Sequence, residues 1–262
     1  MNLQILLSCM HQSDVSIIER SNIQTDVVVV NQCDKDSVED FEFLNKQGRT
    51  CKARFVCTTE RGLSKSRNMA IRNAWGDICL LSDDDEFFAE GCEGMILSVY
   101  ERNPNADLIA FALENEKKVY PRKVRKMGFK QILKTSSVQI TFKRTKVMSN
   151  EILFDDKMGS GTGNGGGEEN KFLLDCRKKG FSMWYNPCVI GKLNTVESQW
   201  FHGYTPSFSE NLGWSTRRWG GVIIGYAFIW WWALSHQRIY KKDNLSFFSA
   251  IKNLHKGFFQ KR

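Results

Sequence analysis

Apolar positions over the first hundred residues come in short blocks with two alternating periods. Residues 3–8 form an apolar run, residues 26–30 end in four consecutive valines, and residues 54–57 and 78–81 repeat the pattern. Unbroken runs of this length predict strands buried on both faces. Leu63, Arg67, Ala70, Ile71 and Ala74 recur instead at near-helical spacing, with Gly76 in the terminating position, which predicts a helix over 63–75. Strands separated by helical crossovers imply an α/β fold with a mostly parallel sheet covered on both faces. Such sheets bind ligands beyond the carboxyl ends of their strands, here near Cys9, Asn31 to Asp34 and the acidic run from Asp83.

The second half reads differently. Residues 107–113 and 138–142 predict further strands, and a helix ends near Gly180. Residues 117–146 hold eleven basic residues and no acid, and residues 159–167 hold six glycines before Glu168-Glu169-Asn170. The last fifty residues are aromatic, basic and helical in character, and no internal repeat occurs. Residues 219–234 approach the length of a membrane span, but these sixteen residues include three glycines and fall short of the ~20 that a spanning helix needs. A surface-lying or buried segment is the expectation.

Composition then narrows the class. An apolar fraction of 42% in 262 residues, with 12% aromatics and four prolines, excludes a disordered chain. The net charge of +8 invites a polyanion partner, yet residues 1–212 are electrically neutral and residues 213–262 carry nine cations against one acid, Asp243. The basicity belongs to the tail. None of the eight cysteines has zinc or redox spacing, and Cys9, Cys57 and Cys79 stand in or beside apolar runs, where a free thiol behaves as a small hydrophobe. With no basic flank or cleavage site at the start, a reduced, cytosolic compartment is expected.

Three local features could carry chemistry. Ser82-Asp83-Asp84-Asp85-Glu86 follows an apolar strand; crowded carboxylates repel unless a cation neutralises them, so the run is either a metal site or a solvated turn capping the next helix. Residues 61–68 enter a helix with Arg61, Lys65 and Arg67 near its start, a setting for a diphosphate or simply a basic amphipathic helix. The glycine run before Glu168-Glu169 is either a loop closing on a bulky ligand, with a glutamate placed as general base, or a flexible linker. The four histidines are scattered, and neither G-x-G-x-x-G after the first strand nor a P-loop is present.

In order, Gly62-Leu63-Ser64-Lys65-Ser66-Arg67-Asn68-Met69-Ala70, Ala74-Trp75-Gly76-Asp77-Ile78 and Asp83-Asp84-Asp85 resemble the donor half of family 2 glycosyltransferases of the GT-A fold. Ile152-Leu153-Phe154-Asp155, Gly167-Glu168-Glu169-Asn170, Tyr185-Asn186-Pro187 and Glu197-Ser198-Gln199-Trp200-Phe201 are similar to the acceptor half of bacterial members. The resemblance covers roughly residues 3–205. It implies an enzyme that transfers a sugar, with inversion, from a nucleoside diphosphate sugar of UDP or GDP type to a hydroxyl of a saccharide or lipid-linked acceptor in bacterial surface-polysaccharide synthesis. The aspartates match the family's DxD site: Asp83 by the ribose or sugar, Asp85 or Asp84 holding Mg²⁺ or Mn²⁺ on the diphosphate. Arg67 matches a nucleotide-contacting arginine, Gly62 falls in the same donor motif, and Ser8, Met10 and Gln32 end the strands that flank the base. Glu169 matches the general base, with Glu168 the alternative. Two departures stand out: Asn31-Gln32-Cys33-Asp34 replaces consecutive aspartates, and Glu-Glu replaces Glu-Asp.

The expected organisation is a GT-A catalytic domain over 1–212, with a nucleotide-sugar half (1–105) and an acceptor half (106–212), then a helical, membrane-proximal extension (213–262). The tail's tryptophans, phenylalanines and cations suit peripheral contact with an anionic membrane at its cytoplasmic face. The alternative is a helical hairpin packed on the catalytic domain. A nucleic-acid-binding protein would explain the charge but leave the aspartates, which repel phosphates, without purpose, so no nucleic-acid partner is expected. A catalytically inactive scaffold of the same fold is the other rival.

Overall fold

In the computed structural model, residues 1–114, 119–194 and 203–260 are described. They form β1 (Leu3–Met10), α1 (Ile17–Arg20), β2 (Asp26–Gln32), β3 (Ser37–Leu44), β4 (Thr50–Thr58), α2 (Leu63–Asn73), β5 (Ile78–Asp83), β6 (Glu86–Phe88), α3 (Cys92–Arg102) and β7 (Leu108–Glu114). There follow β8 (Arg125–Lys126), α4 (Phe129–Ile132), β9 (Ile140–Lys143), α5 (Arg144–Ser149), α6 (Glu168–Lys178), β10 (Met183–Leu193), α7 (Pro206–Gly220), α8 (Ile223–Ser235), α9 (Gln237–Tyr240) and α10 (Phe247–Phe259).

The chain divides into two compact units, residues 1–61, 65–153 and 175–196 forming the first, and 62–64, 154–174 and 197–262 the second. The first contains the sheet, in the order β3-β4-β2-β1-β5-β9-β7-β10-β6, with β8 beside β10. Its centre, β4-β2-β1-β5, is parallel, as the apolar runs predict. Val27 to Val30 are fully buried on both faces of β2, which removes the alternation that a half-exposed strand would show. Antiparallel strands complete both sides: β3 pairs with β4, and β9 lies antiparallel between β5 and β7. β3 carries Glu39, Asp40 and Glu42 on an exposed edge, a composition that discourages pairing with other chains. All eight cysteines carry free thiols.

The second unit is helical, with a core of Ile229, Trp232, Tyr240, Leu254 and Phe258. The apolar run over 219–234 is broken by Gly221, whose φ of 66° ends α7 and lets α8 begin at Ile223. Backbones touch where α7 meets α10: a Cβ at Gly213 would collide with the Leu254 carbonyl, and one at Gly257 with the Glu210 carbonyl. Among the described residues no helix is long and apolar enough to cross a membrane.

Candidate functional site

Parallel strands point their carboxyl ends the same way, so what the first unit offers a ligand collects along one rim. β1 leads on one side to β2 and β4, and the chain then returns to lay β5 on the other. An open sheet has its binding crevice where the order reverses in this manner. The register there sets Ser8 opposite Asp83 and Met10 opposite Gln32. Ser8 and Gln32 are buried, and Met10 is exposed.

β5 ends at Asp83 and β6 begins at Glu86, so Asp84 and Asp85 form a tight turn. The Asn194 N–H donates to the Asp85 carbonyl at 2.7 Å, which fixes the turn's backbone. The next helix, α3, starts only at Cys92, so these acids cap no helix and the solvated-cap alternative loses its premise. Asp83 is held by Arg67, whose guanidinium donates to Oδ1 at 2.9 Å and Oδ2 at 3.0 Å, and to the Ser137 hydroxyl at 2.7 Å. Arg67 is itself buried, turned toward these partners.

Desolvation, followed by the like charges of Asp83 and Asp85, holds the Asp84 carboxyl above the usual carboxylate range. Burial does the same, more strongly, to Glu86, which favours its protonated form. Asp83, Asp84 and Asp85 thus crowd three carboxyl groups at one strand end. Hard oxygen donors of this kind fit Mg²⁺ or Mn²⁺. Among the described residues no three His, Cys, Asp or Glu side chains converge on one metal position, so an ion here would complete its shell with ligand oxygens and water.

The segments after β1 and β2, with residues of β3 and β4, enclose a cleft of about 420 Å³, lined by Gln12, Asp14, Val15, Asp34, Glu39, Phe55 and Cys57 among others. Val15, Phe55 and Cys57 give it apolar contacts among polar and charged side chains, a mixed lining that can take a heterocycle bearing hydrogen-bonding groups. Two side chains hold the rim. Asn31 accepts from the Gln12 N–H at 3.0 Å and donates to the Gln12 carbonyl at 2.9 Å. Arg61 donates to the Cys33 carbonyl at 2.8 Å and pairs with Asp34 at 2.6 Å.

Gly62, Glu168 and Glu169 belong to the second unit. Gly62 has a φ of 125°, and the glycine loop is pinned to the residues after it: the Leu63 N–H donates to the Ser160 carbonyl at 2.9 Å and the Ser64 hydroxyl to the Met158 carbonyl at 2.8 Å. The loop is thus anchored, unlike a free linker. Glu168 and Glu169 form the first turn of α6, where Glu168 is buried and Glu169 partly exposed. A Cβ at Gly159, which has a φ of 90°, would stand 3.2 Å from the Glu168 carboxyl carbon, so the loop passes directly over that side chain. Asp155 receives two 2.7 Å bonds from Arg218; burial alone would raise its pKa, but these bonds and the Lys157 N–H hold it below the usual range.

The structure brings Ser8, Met10, Gln32, Arg67, Asp83, Asp84 and Asp85 into one unit. Residues 197–201 lie outside the described residues. Ser137 stands seventy residues from the arginine that it binds and carries no local signal in the sequence. The cleft residues Phe55 and Cys57 read in the sequence only as part of a strand; their alternation around Val56 marks them as sharing a face.

The sequence matches the family model described as Glycosyl transferase family 2 over residues 6–161. The structure is similar to S. aureus TarS 1-349, with a TM-score of 0.62 and 13% identity over 99% of this chain and 81% of that chain. It is similar to TarS 1-349 in complex with UDP-GlcNAc, with a TM-score of 0.60 and 14% identity over 96% and 82% of the two chains. It also resembles the mannosyltransferase PcManGT from Pyrobaculum calidifontis in complex with GDP-Man and Mn²⁺, with a TM-score of 0.55 and 14% identity over 100% and 88%. At these identities the likeness is one of fold. No curated protein sequence matches.

Proposed function

The chain belongs to glycosyl transferase family 2, has the GT-A fold and is a glycosyltransferase; from that premise we propose that it moves a sugar, with inversion, from a nucleoside diphosphate sugar to an acceptor hydroxyl. The observation that carries this reading is the Asp83–Asp85 turn at the point where the strand order reverses, with Asp83 fixed by buried Arg67. The UDP-GlcNAc bound to TarS and the GDP-Man and Mn²⁺ bound to PcManGT support a donor of this class and a divalent ion.

In the proposed reaction the nucleoside base enters the cleft over Phe55 and Cys57, flanked by Ser8, Met10 and Gln32, and Gly62 lets backbone approach the donor. Asp83 meets the ribose or sugar, and Arg67 acts on the nucleotide through Asp83. Mn²⁺ or Mg²⁺ held by Asp85 or Asp84 would offset negative charge growing on the leaving diphosphate. Glu169, or Glu168 in its place, takes the proton of the acceptor hydroxyl as its oxygen attacks the anomeric carbon from the opposite face. The acceptor is a saccharide or a lipid-linked acceptor in bacterial capsule, exopolysaccharide or lipopolysaccharide synthesis, met at the cytoplasmic face of the membrane by residues 213–262. Residues 1–212 form the catalytic domain in this proposal.

Donor hydrolysis across UDP- and GDP-sugars with Mn²⁺ tests the reading. Turnover of one donor, lost in Asp85→Ala and Glu169→Gln while both variants stay folded, is expected; turnover unaltered in both variants refutes the assignment.

A further inference from the structure

α8 is apolar on every side, yet only one side is covered. Gly225, Ile229, Trp232 and Ala233 face the helical core, whereas Ile223, Ala227, Trp230, Trp231 and Leu234 turn outward. Ile223 is 85% exposed and Leu234 65%, values that a soluble helix normally reserves for polar side chains. α10 extends this face. Its Phe248 and Phe259 are 81% and 69% exposed, and the His255 ring lies 5.4 Å from Tyr226 and 5.3 Å from Trp230, joining the two helices edge to edge.

Cations accompany the face. Arg238, Lys241, Lys242 and Lys252 are exposed, and among the described residues none of them forms an ion pair; Lys256 and Arg218 are paired, with Glu210 and Asp155. The nearby acid, Asp243, is occupied by the Tyr204 N–H at 2.7 Å. The thirteen residues of α8 reach only about 20 Å, too short for a ~30 Å hydrocarbon core. A segment too short to span, with exposed cations beside it, can rest only at the headgroup level.

We infer that the outward face of α8, continued by Phe248 and Phe259 of α10, docks on an anionic phospholipid monolayer. Tryptophan rings favour the headgroup level and the four unpaired cations complement the lipid charge. A second copy of the chain complements the face poorly, because a two-fold contact would set the same cations against themselves. This deepens the membrane-facing part of the proposed function and is independent of the donor chemistry.

Flotation of the full chain with vesicles tests the inference, using phosphatidylcholine alone and with phosphatidylglycerol added, at low and high salt. The chain should float with the anionic vesicles at low salt and much less with the neutral ones. Ile223→Ser with Leu234→Ser should lower partitioning about tenfold or more. Lys241→Gln with Lys242→Gln should lower it about fivefold per cation removed. Because all four side chains are exposed, each variant should keep the native circular dichroism and melting temperature. No flotation with anionic vesicles, or flotation untouched by Ile223→Ser with Leu234→Ser, overturns the inference. A concentration-dependent dimer that these serines abolish, without vesicle binding, would make the face a self-association surface and overturn it too. Nucleotide binding measured on the same samples separates the readings, since its loss with flotation intact removes only the donor assignment.

Discussion

Replacing Arg67 with methionine keeps most of the buried volume and removes the charge that holds Asp83. Arg67 has a side chain 2% exposed and Asp83 one 30% exposed, and breaking a buried pair by deleting one partner costs about 3–5 kcal/mol. Water reaches the orphaned Asp83 carboxylate, which moves the expected loss to the lower end, and Ser137 loses the donor that now reaches it at 2.7 Å. The expected destabilisation is about 3 kcal/mol, or about 6–12 °C in melting temperature for a unit of this size. Chemical denaturation of Arg67→Met, Asp83→Asn and the double variant measures it as a cycle. Asp83→Asn leaves the guanidinium buried without its counter-charge, so the double variant should be less damaged than the sum of the singles by about 2 kcal/mol or more. Additivity within about 0.5 kcal/mol, or an unshifted midpoint in Arg67→Met, would refute the claim that this pair fixes the acidic turn.

Other variants probe the remaining parts. The folded pKa of Glu86 is raised, chiefly by burial, so its contribution to stability is complete below the unfolded value of about 4.3 and is lost as pH rises through the folded value; Glu86→Gln should gain on the native chain as pH increases, and parallel melting curves would contradict this. Asp155 has the opposite sign: its lowered pKa gives stability that is present above about pH 4 and lost as pH falls through the folded value. Asp155→Asn should therefore cost about 2–3 kcal/mol at neutral pH, with the difference shrinking in acid. Gly257→Ala gains about 1 kcal/mol of helix propensity but meets the Glu210 carbonyl, so overpacking of about 1–3 kcal/mol or more should make it a net loss, seen as faster hydrogen exchange in α7 and α10. Gly94→Ala in α3 meets no atom within 4 Å, so this control should stabilise by about 0.5–1 kcal/mol.

The sequence announces the elements whose burial is complete. Four valines can only be a strand enclosed on both faces, and the aspartates after residues 78–81 stand at the end of a strand because the apolar run stops at Ser82. β3 is silent for the converse reason: its acids lie on an edge, where neither face demands apolar residues. β10 contains Pro187 and Gly191 and changes register against β7, so only its partners make it a strand. Glu86 reads as the fourth member of an exposed acidic run, whereas pairing of β6 with Leu193 on β10 turns it into the interior. The sequence marks Arg67 as a candidate, but its hold on Asp83 and Ser137 joins segments that only the fold brings together. In the second unit, the touching backbones at Gly213 and Gly257 have no local pattern, since each glycine is explained by a carbonyl on another helix.

Calorimetric titration of UDP and GDP, each with and without Mn²⁺, into the native chain and Asp85→Ala tests the central claim most directly. One nucleotide should bind native protein with an affinity that Mn²⁺ raises by at least about tenfold, near 1.4 kcal/mol, and that Asp85→Ala returns to the metal-free level. Binding indifferent both to Mn²⁺ and to Asp85, or no binding of either nucleotide, would contradict a donor site built on the acidic turn.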